Sequence, residues 1–152
     1  MPQLSADDVR IQLDSFIPTY LPGLAAHYHY EGEDFGGLTP VVCLETANVI
    51  RPRKTLDAKL RTEFFINLHI YSLVKNSTGT WSAQQAQKEC DDLEAKVGDM
   101  LEAKPRLDGY WNILTYSDQQ SGTTTAPLMD VGGNDYRRVT VHLKASLWPS
   151  GA

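Results

Sequence analysis

Cysteine, positive charge and long apolar runs are all scarce in this chain, and each shortage narrows what the protein can be. Two cysteines in 152 residues give no disulfide framework, so Cys43 and Cys90 are expected to be reduced core residues of a cytosolic protein, with a disulfide between them as the alternative. A net charge of −5 argues against a strong attraction to nucleic acid or to an anionic membrane. No apolar run approaches a membrane span, and residues 1–10 show no signal-peptide pattern.

Familiar catalytic motifs are also missing. The sequence contains no G-x-S-x-G, no phosphate-binding glycine loop and no C-x-x-C pair. His27, His29 and Glu31 alternate along one side of a short predicted strand and could hold a metal, but a polar strand face is the commoner arrangement. His69 and His142 lie on predicted outer strand faces and would be neighbours if their strands pair. We therefore predict no catalytic, cofactor-binding or metal-binding residue.

The strongest pattern is a helix from residue 82 to about residue 102. Its apolar positions recur every three or four residues and form one stripe, whereas the intervening positions are polar. Ser82 and Gln85 form a capping box, Trp81 can pack on Ala86, and Pro105 ends the run. The stripe needs a sheet to pack on, and it comprises Ala83, Ala86, Cys90, Leu93, Val97, Met100 and Leu101.

The clearest strand covers residues 62–75, where apolar residues alternate on one face from Phe64 to Val74. Its opposite face carries Phe65, Tyr71 and Leu73 as well as polar residues. Large apolar side chains on an outer face indicate that something else covers that part of the sheet. Either a neighbouring subunit or the first helix is expected to do so.

The remaining elements complete an α+β fold. A first helix begins at Ser5, which forms an approximate capping box with Asp8, and stops at Pro18. Further strands are predicted near residues 24–30 and 41–45, at 110–116 and at 136–148. The sequence thus predicts a single domain over residues 1–152, in which a mainly antiparallel or mixed sheet of about four strands packs against two helices.

Three polar stretches are predicted to be loops. Residues 31–37 are acidic and contain glycine, which is typical of an exposed loop. Arg51, Arg53 and Lys54 surround a proline, and either a solvated loop or a contact with an acidic partner would explain them. Residues 117–130 include Thr123, Thr124 and Thr125 and form a long loop, expected to be mobile alone and ordered by a partner.

One order of helices, strands and short sequence motifs covers most of residues 5–148. It runs from the N-terminal helix through Val49-Ile50-Arg51-Pro52-Arg53 and the long strand into the central helix. It closes with Leu107-Asp108-Gly109-Tyr110-Trp111 and with a final strand beginning Tyr136-Arg137-Arg138-Val139. This order resembles the tail terminator proteins of long-tailed bacteriophages, which are also called minor tail or tail-completion proteins.

The resemblance implies a structural virion protein without catalytic residues. Such a protein forms a six-fold ring on the last ring of tail tube subunits, ends tube growth and presents a surface to head-completion or neck proteins. It is assembled in the host cytoplasm, sits at the head-proximal end of the tail and meets DNA only as cargo, with no cofactor and no membrane contact. A tube or neck subunit is the first alternative, and a small enzyme or binding domain is the second.

Residues expected at interfaces between subunits or with tail partners come from the cationic stretch, the outer face of the long strand, the polar loop and the last strand. They are Arg51, Arg53, Lys54, Phe65, Tyr71, Leu73, Thr123, Thr124, Thr125 and Arg138.

Overall fold

The computed structural model describes residues 4–32, 34–51, 62–74, 83–107, 110–118, 123–125 and 128–149. Within these ranges the chain has an α+β fold of two helices and seven strands, which confirms the predicted class but not the predicted number of about four strands. In chain order the elements are α1 (Ala6–Tyr20), β1 (Ala26–Tyr28), β2 (Val41–Ile50), β3 (Thr62–Leu73), α2 (Ala83–Ala103), β4 (Tyr110–Tyr116), β5 (Thr123–Thr125), β6 (Met129–Val131) and β7 (Asn134–Pro149).

The sheet is mixed, with the strand order β1-β2-β3-β7-β4. Only the β1–β2 pair is parallel among the pairs described, and β2–β3, β3–β7 and β7–β4 are antiparallel. The short strands β5 and β6 pair with β7 beyond the end of β4. As a result, β7 pairs along both of its edges and is the strand around which the sheet is built.

Both helices pack on one face of the sheet, here called the helix-covered face. The capping box at Ser5 and Asp8 is present, with each backbone N–H donating to the other residue's side chain at 3.1 Å. The stripe of α2 is buried as predicted, except for the half-buried Ala83. Together with the inward residues of α1 and the sheet, it forms one continuous core. Burial of that stripe stabilises the whole helix layer.

The opposite face of the sheet, here called the second face, differs from the prediction. Phe65, Tyr71 and Leu73 are only 3%, 2% and 4% exposed. Neither α1 nor a partner covers Tyr71 and Leu73, because they belong to a second apolar cluster within the chain, in which Phe35 and Tyr136 take part. The expectation that residues 31–37 form an exposed loop holds for Glu31, Asp34 and Gly36, but the same loop inserts a buried phenylalanine.

Several predicted bounds also differ from the structure; strand β2, for example, runs on to Ile50 and not only to residue 45. Helix α1 continues past Pro18 to Tyr20, and the N–H of Leu21 still donates to Ile17 O at 2.8 Å. A proline in the last turn removes a single donor there and does not end the helix immediately. Residues 117–130 were predicted to be one loop, but strand β5 lies within them and strand β6 begins there. Their short polar segments are held by pairing with β7, and no sequence periodicity marks them.

Candidate functional site

The second face carries a group of polar side chains in the middle of the sheet. The register of β3 and β7 places Asn67 opposite His142 and His69 opposite Thr140. Across the other edge of β3, Glu45 of β2 is the partner of Asn67. Opposite residues on neighbouring strands share a face and lie about 5 Å apart. These five residues, here called the polar network, confirm that the two histidines are neighbours.

A chain of hydrogen bonds runs through the polar network. Asn67 Nδ2 donates to Glu45 Oε1 at 3.2 Å, and Asn67 Oδ1 lies 2.7 Å from His142 Nδ1. With the amide in this orientation, His142 Nδ1 must donate, so Nε2 accepts from the Thr124 hydroxyl 3.0 Å away. In its neutral form, His142 is therefore held as the tautomer with the proton on Nδ1.

His69 is the most enclosed titratable side chain of the network, with 5% of the side chain exposed. Its Nδ1 lies 2.7 Å from Thr140 Oγ1, and its Nε2 lies 3.3 Å from Glu45 Oε1. Burial lowers the pKa of His69, and the positive charge of Arg138 lowers it further, although Glu45 opposes both. Burial also lowers the pKa of His142. Both imidazoles are accordingly neutral at pH 7.

Glu31 reaches the network from the loop that follows β1. Its hydrogen bond with Glu45, together with burial and the charge of Glu45, raises the pKa of Glu31. Burial alone would also raise the pKa of Glu45, but hydrogen bonds from Glu31, Asn67 and His69 outweigh burial and lower it. Glu31 consequently binds a proton more readily than Glu45 does, and the protonated Glu31 carboxyl donates a hydrogen bond to Glu45. Chemically, this carboxylate pair can hold a proton or a metal cation.

Arg138 stands beside this carboxylate pair on β7. Its guanidinium hydrogen-bonds with the Tyr71 hydroxyl, although burial is the larger effect and raises the pKa of Tyr71. The same positive charge favours the ionised form of Glu31. Arg138 Nε is buried and lacks a hydrogen-bond partner. The side chain predicted to meet a partner therefore also contributes charge to the network.

The other residues expected at interfaces are distributed unevenly. Thr123, Thr124 and Thr125 are exposed on β5, where Thr123 donates to Glu94 Oε1 of α2 at 3.0 Å. Arg51 is exposed, donates to Leu4 O at 2.8 Å and lies over the Phe64 ring. Arg53 and Lys54 lie outside the described residues.

The structure does not join His27, His29 and Glu31 into one ligand set. His27 Nδ1 lies 2.8 Å from Asp14 Oδ1 of α1, and His29 Nε2 lies 3.8 Å from Asp7. Glu31 instead approaches Glu45. Of the three, only His27 lies on strand β1, since His29 and Glu31 follow it. Glu31 contacts Glu45 of the polar network and neither of the two histidines' partners.

Both cysteines are free and buried, as predicted. Cys90 belongs to the core of the helix-covered face and Cys43 to the cluster of the second face, so the sheet separates them. Burial is the main cause that raises the pKa of Cys43 to about 11 and that of Cys90 to about 12. Neither thiol is activated as a nucleophile.

Sequence reasoning missed Glu45 and Asn67 of the polar network, and it grouped Glu31 with His27 and His29 instead of with Glu45. Glu45 ends an otherwise apolar run, and an acidic residue in a buried strand signals a polar partner. Asn67 lies among apolar residues in the same way. No pattern along the chain links Glu31 to either of them, because the loop after β1 brings it there.

Comparison with known proteins adds no assignment: no protein-family model and no curated protein matches the chain. In the part of the chain that the structure describes, no helix is long and apolar enough to cross a membrane.

Proposed function

We propose that this chain is a structural virion protein, a tail terminator that forms a ring on the head-proximal end of a bacteriophage tail tube. The ring would end tube polymerisation and offer a surface to head-completion or neck proteins. Self-association into a hexamer is part of the proposal, and DNA would pass through the lumen only as cargo. The proposed role requires no catalysis and no cofactor.

The order of elements supports this proposal. The resemblance rests on an N-terminal helix, a long strand, a central helix and a closing strand, and the fold contains these as α1, β3, α2 and β7. Those strands are adjacent and paired over twelve residue positions. The pattern read from the sequence therefore corresponds to neighbouring elements in space.

The observation that carries the proposal is a pair of free sheet edges at the same end of the molecule. Strand β1 covers β2 only at residues 41–43. Among the described residues, no strand pairs with β2 from Glu45 to Ile50 or with the outer edge of β4. Unpaired edges present backbone donors and acceptors that favour pairing with another chain.

The two edges lie at the same height in the sheet, and their strands, β2 and β4, run in opposite directions. Ile50 pairs with Glu63, Glu63 with Ser146, and Ser146 with Ile113, so one line of residues crosses all four strands. Three successive antiparallel pairs make β2 and β4 antiparallel to each other. The β4 edge of one copy can thus continue the sheet at the β2 edge of the next, with the same face outward.

Such a contact is heterologous, because each copy uses two different edges. Heterologous contacts form a ring when the rotation between copies closes, and otherwise an open filament. Exposed apolar side chains stand at both edges, with Ile50 40% and Tyr116 41% exposed. Sheet pairing at these edges would bury them. The same geometry also suits a tube or neck subunit, which remains the alternative.

A capping experiment tests the proposal. Purified chain is added to a polymerising tail tube protein from the same phage, and tube lengths are measured by electron microscopy. A terminator is expected to stop growth and to leave a ring at one tube end. Free incorporation along the tubes would instead identify a tube subunit, and no effect on length with no binding to tube ends would refute the proposal.

Edge variants test the interface itself. Ile50→Lys and Tyr116→Lys each place a charge at a free edge, which discourages strand pairing. Both are expected to abolish ring formation while the monomer stays folded. Leu38→Lys is the matched control, since Leu38 is 45% exposed and belongs to neither edge.

A further inference from the structure

Glu31, Glu45 and His69 bring three metal-ligating side chains together on the second face of the sheet. One ligand atom from each lies within 4.8 Å of the other two. We propose that these residues bind one divalent cation of the zinc class, with water at the remaining position. A histidine and carboxylates are ligands that Zn²⁺ accepts, and three protein ligands plus water is a common arrangement.

The geometry at His69 supports a cation there. Nε2 of His69 lies 3.3 Å from Glu45 Oε1, longer than a well-formed N–H···O bond of about 2.9–3.0 Å. Two ligands bound at about 2.0–2.1 Å to one tetrahedral ion stand roughly 3.3–3.4 Å apart. Since the imidazole is almost fully buried, this nitrogen has little access to water as another partner.

The surrounding residues already orient two of the ligands. Thr140 Oγ1 lies 2.7 Å from His69 Nδ1. When a cation replaces the hydrogen bond between His69 Nε2 and Glu45, the single imidazole proton can sit on Nδ1 and be donated to Thr140, which leaves the lone pair of Nε2 for the metal. Asn67 Nδ2 donates to Glu45 and fixes that carboxylate. Metal-bound histidines and carboxylates usually have such hydrogen-bonded supports.

A proton competes with the cation for the two carboxylates, and the positive charge of Arg138 opposes cation binding. Glu31 and Glu45 contact each other, so a proton between them reduces their repulsion, and a cation would displace that proton. Arg138 opposes metal binding, since its positive charge acts on both Glu31 and His69. Affinity is therefore expected to rise with pH and to rise when Arg138 is neutralised.

A bound ion would fasten the loop after β1 to the sheet. Glu31 belongs to that loop, whereas Glu45 and His69 belong to β2 and β3. The loop also places Phe35 over the second apolar cluster. Metal binding should consequently stabilise the folded chain by mass action.

The test is a titration of the untagged, chelator-treated full chain with Zn²⁺ by calorimetry, together with thermal unfolding with and without the ion. Co²⁺ serves as a spectroscopic probe, because four-coordinate Co²⁺ absorbs strongly in the visible. We expect one ion per chain and a higher unfolding temperature. Glu45→Gln and His69→Gln should lose both effects, and Thr140→Val should weaken binding about 10- to 100-fold.

Matched controls separate this site from adventitious binding. His29→Gln and Glu94→Gln remove the same functional groups elsewhere and should bind as the wild type does. Arg138→Gln should bind more tightly. Absence of stoichiometric binding by folded wild-type protein would overturn the proposal, as would equal binding by folded Glu45→Gln and His69→Gln. If either variant fails to fold, Glu31→Gln replaces it, because Glu31 is the exposed ligand. Loss of binding by Glu31→Gln would support the site, and binding equal to that of the wild type would overturn it.

Discussion

The Phe35 ring packs edge-on against the Tyr71 ring, with the ring centroids 4.9 Å apart and the planes inclined by 60°. Phe35 makes a similar contact with Tyr136, at 5.5 Å and 89°. The Tyr136 hydroxyl in turn donates to Leu38 O at 2.9 Å, which holds the end of the same loop. A loop residue thus closes the second face of the sheet within one chain.

Replacing Phe35 by alanine tests this closure. The ring is 2% exposed, so Phe35→Ala should lower the free energy of unfolding by about 3–5 kcal/mol. Urea denaturation measures the loss. Tyr30→Ala is the control, since Tyr30 is half exposed, and it should cost far less. Equal costs for the two variants would mean that Phe35 does not close this face.

Leu93→Asp tests the core of the helix-covered face. Leu93 is buried in the stripe of α2, and an unpaired carboxylate there should cost at least about 4 kcal/mol and prevent folding. Circular dichroism and solubility report the outcome. Ile11→Asp places the same carboxylate on an exposed position of α1 and should fold normally. A cooperative fold of Leu93→Asp would contradict the assigned helix face.

The two buried histidines predict how stability depends on pH. Their folded pKa values lie below the ordinary 6.5, so the unfolded chain binds more protons as the pH falls through that value. Stability attributable to these groups should therefore decrease as the pH falls from about 7.5 towards 5.5 and level off below the folded pKa values.

Chemical denaturation across that range, with chelator present, measures the effect. Glu31 acts in the opposite direction, because its pKa is raised above 4.5, so the informative quantity is the difference between the wild type and a variant. His69→Gln with His142→Gln should flatten the slope. An unchanged slope in the double variant would contradict the burial argument.

Charge reversal at the cationic stretch tests partner binding. Arg53→Glu with Lys54→Glu should weaken ring or tube association while leaving the fold intact. Adding Arg51→Glu should also cost some stability, because Arg51 bonds to Leu4 O and lies over Phe64. Lys88→Glu with Lys96→Glu on α2 is the charge-matched control. Unchanged association in the triple variant would show that these three cations do not contact a partner.

Much of the fold was predictable because strongly periodic segments dominate it. The bounds of β4 agree with the prediction, and those of α2 differ by one residue at each end. Alternation along β3 placed His69 on one face and Phe64 on the other. These elements are specified by their own apolar patterns, which tertiary packing then confirms.

The candidate site was only partly predictable, since its members meet through tertiary contacts. The proximity of His69 and His142 followed from assuming that their strands pair. Glu31 and Phe35 lie in an acidic, glycine-containing loop that has no periodicity, and nothing local indicates that one joins a buried network and the other a core. Thr123, Thr124 and Thr125 likewise form a strand only because β7 offers a free edge.

The mass of the purified chain, measured by light scattering after size exclusion over a wide concentration range, tests the central claim most directly. Closure of the sheet edges into a ring predicts a discrete species near six subunits, formed directly or from a monomer as concentration rises. Tyr116→Lys should remain monomeric under the same conditions. Open-ended growth, or a strict monomer both alone and with tube protein, would contradict the account.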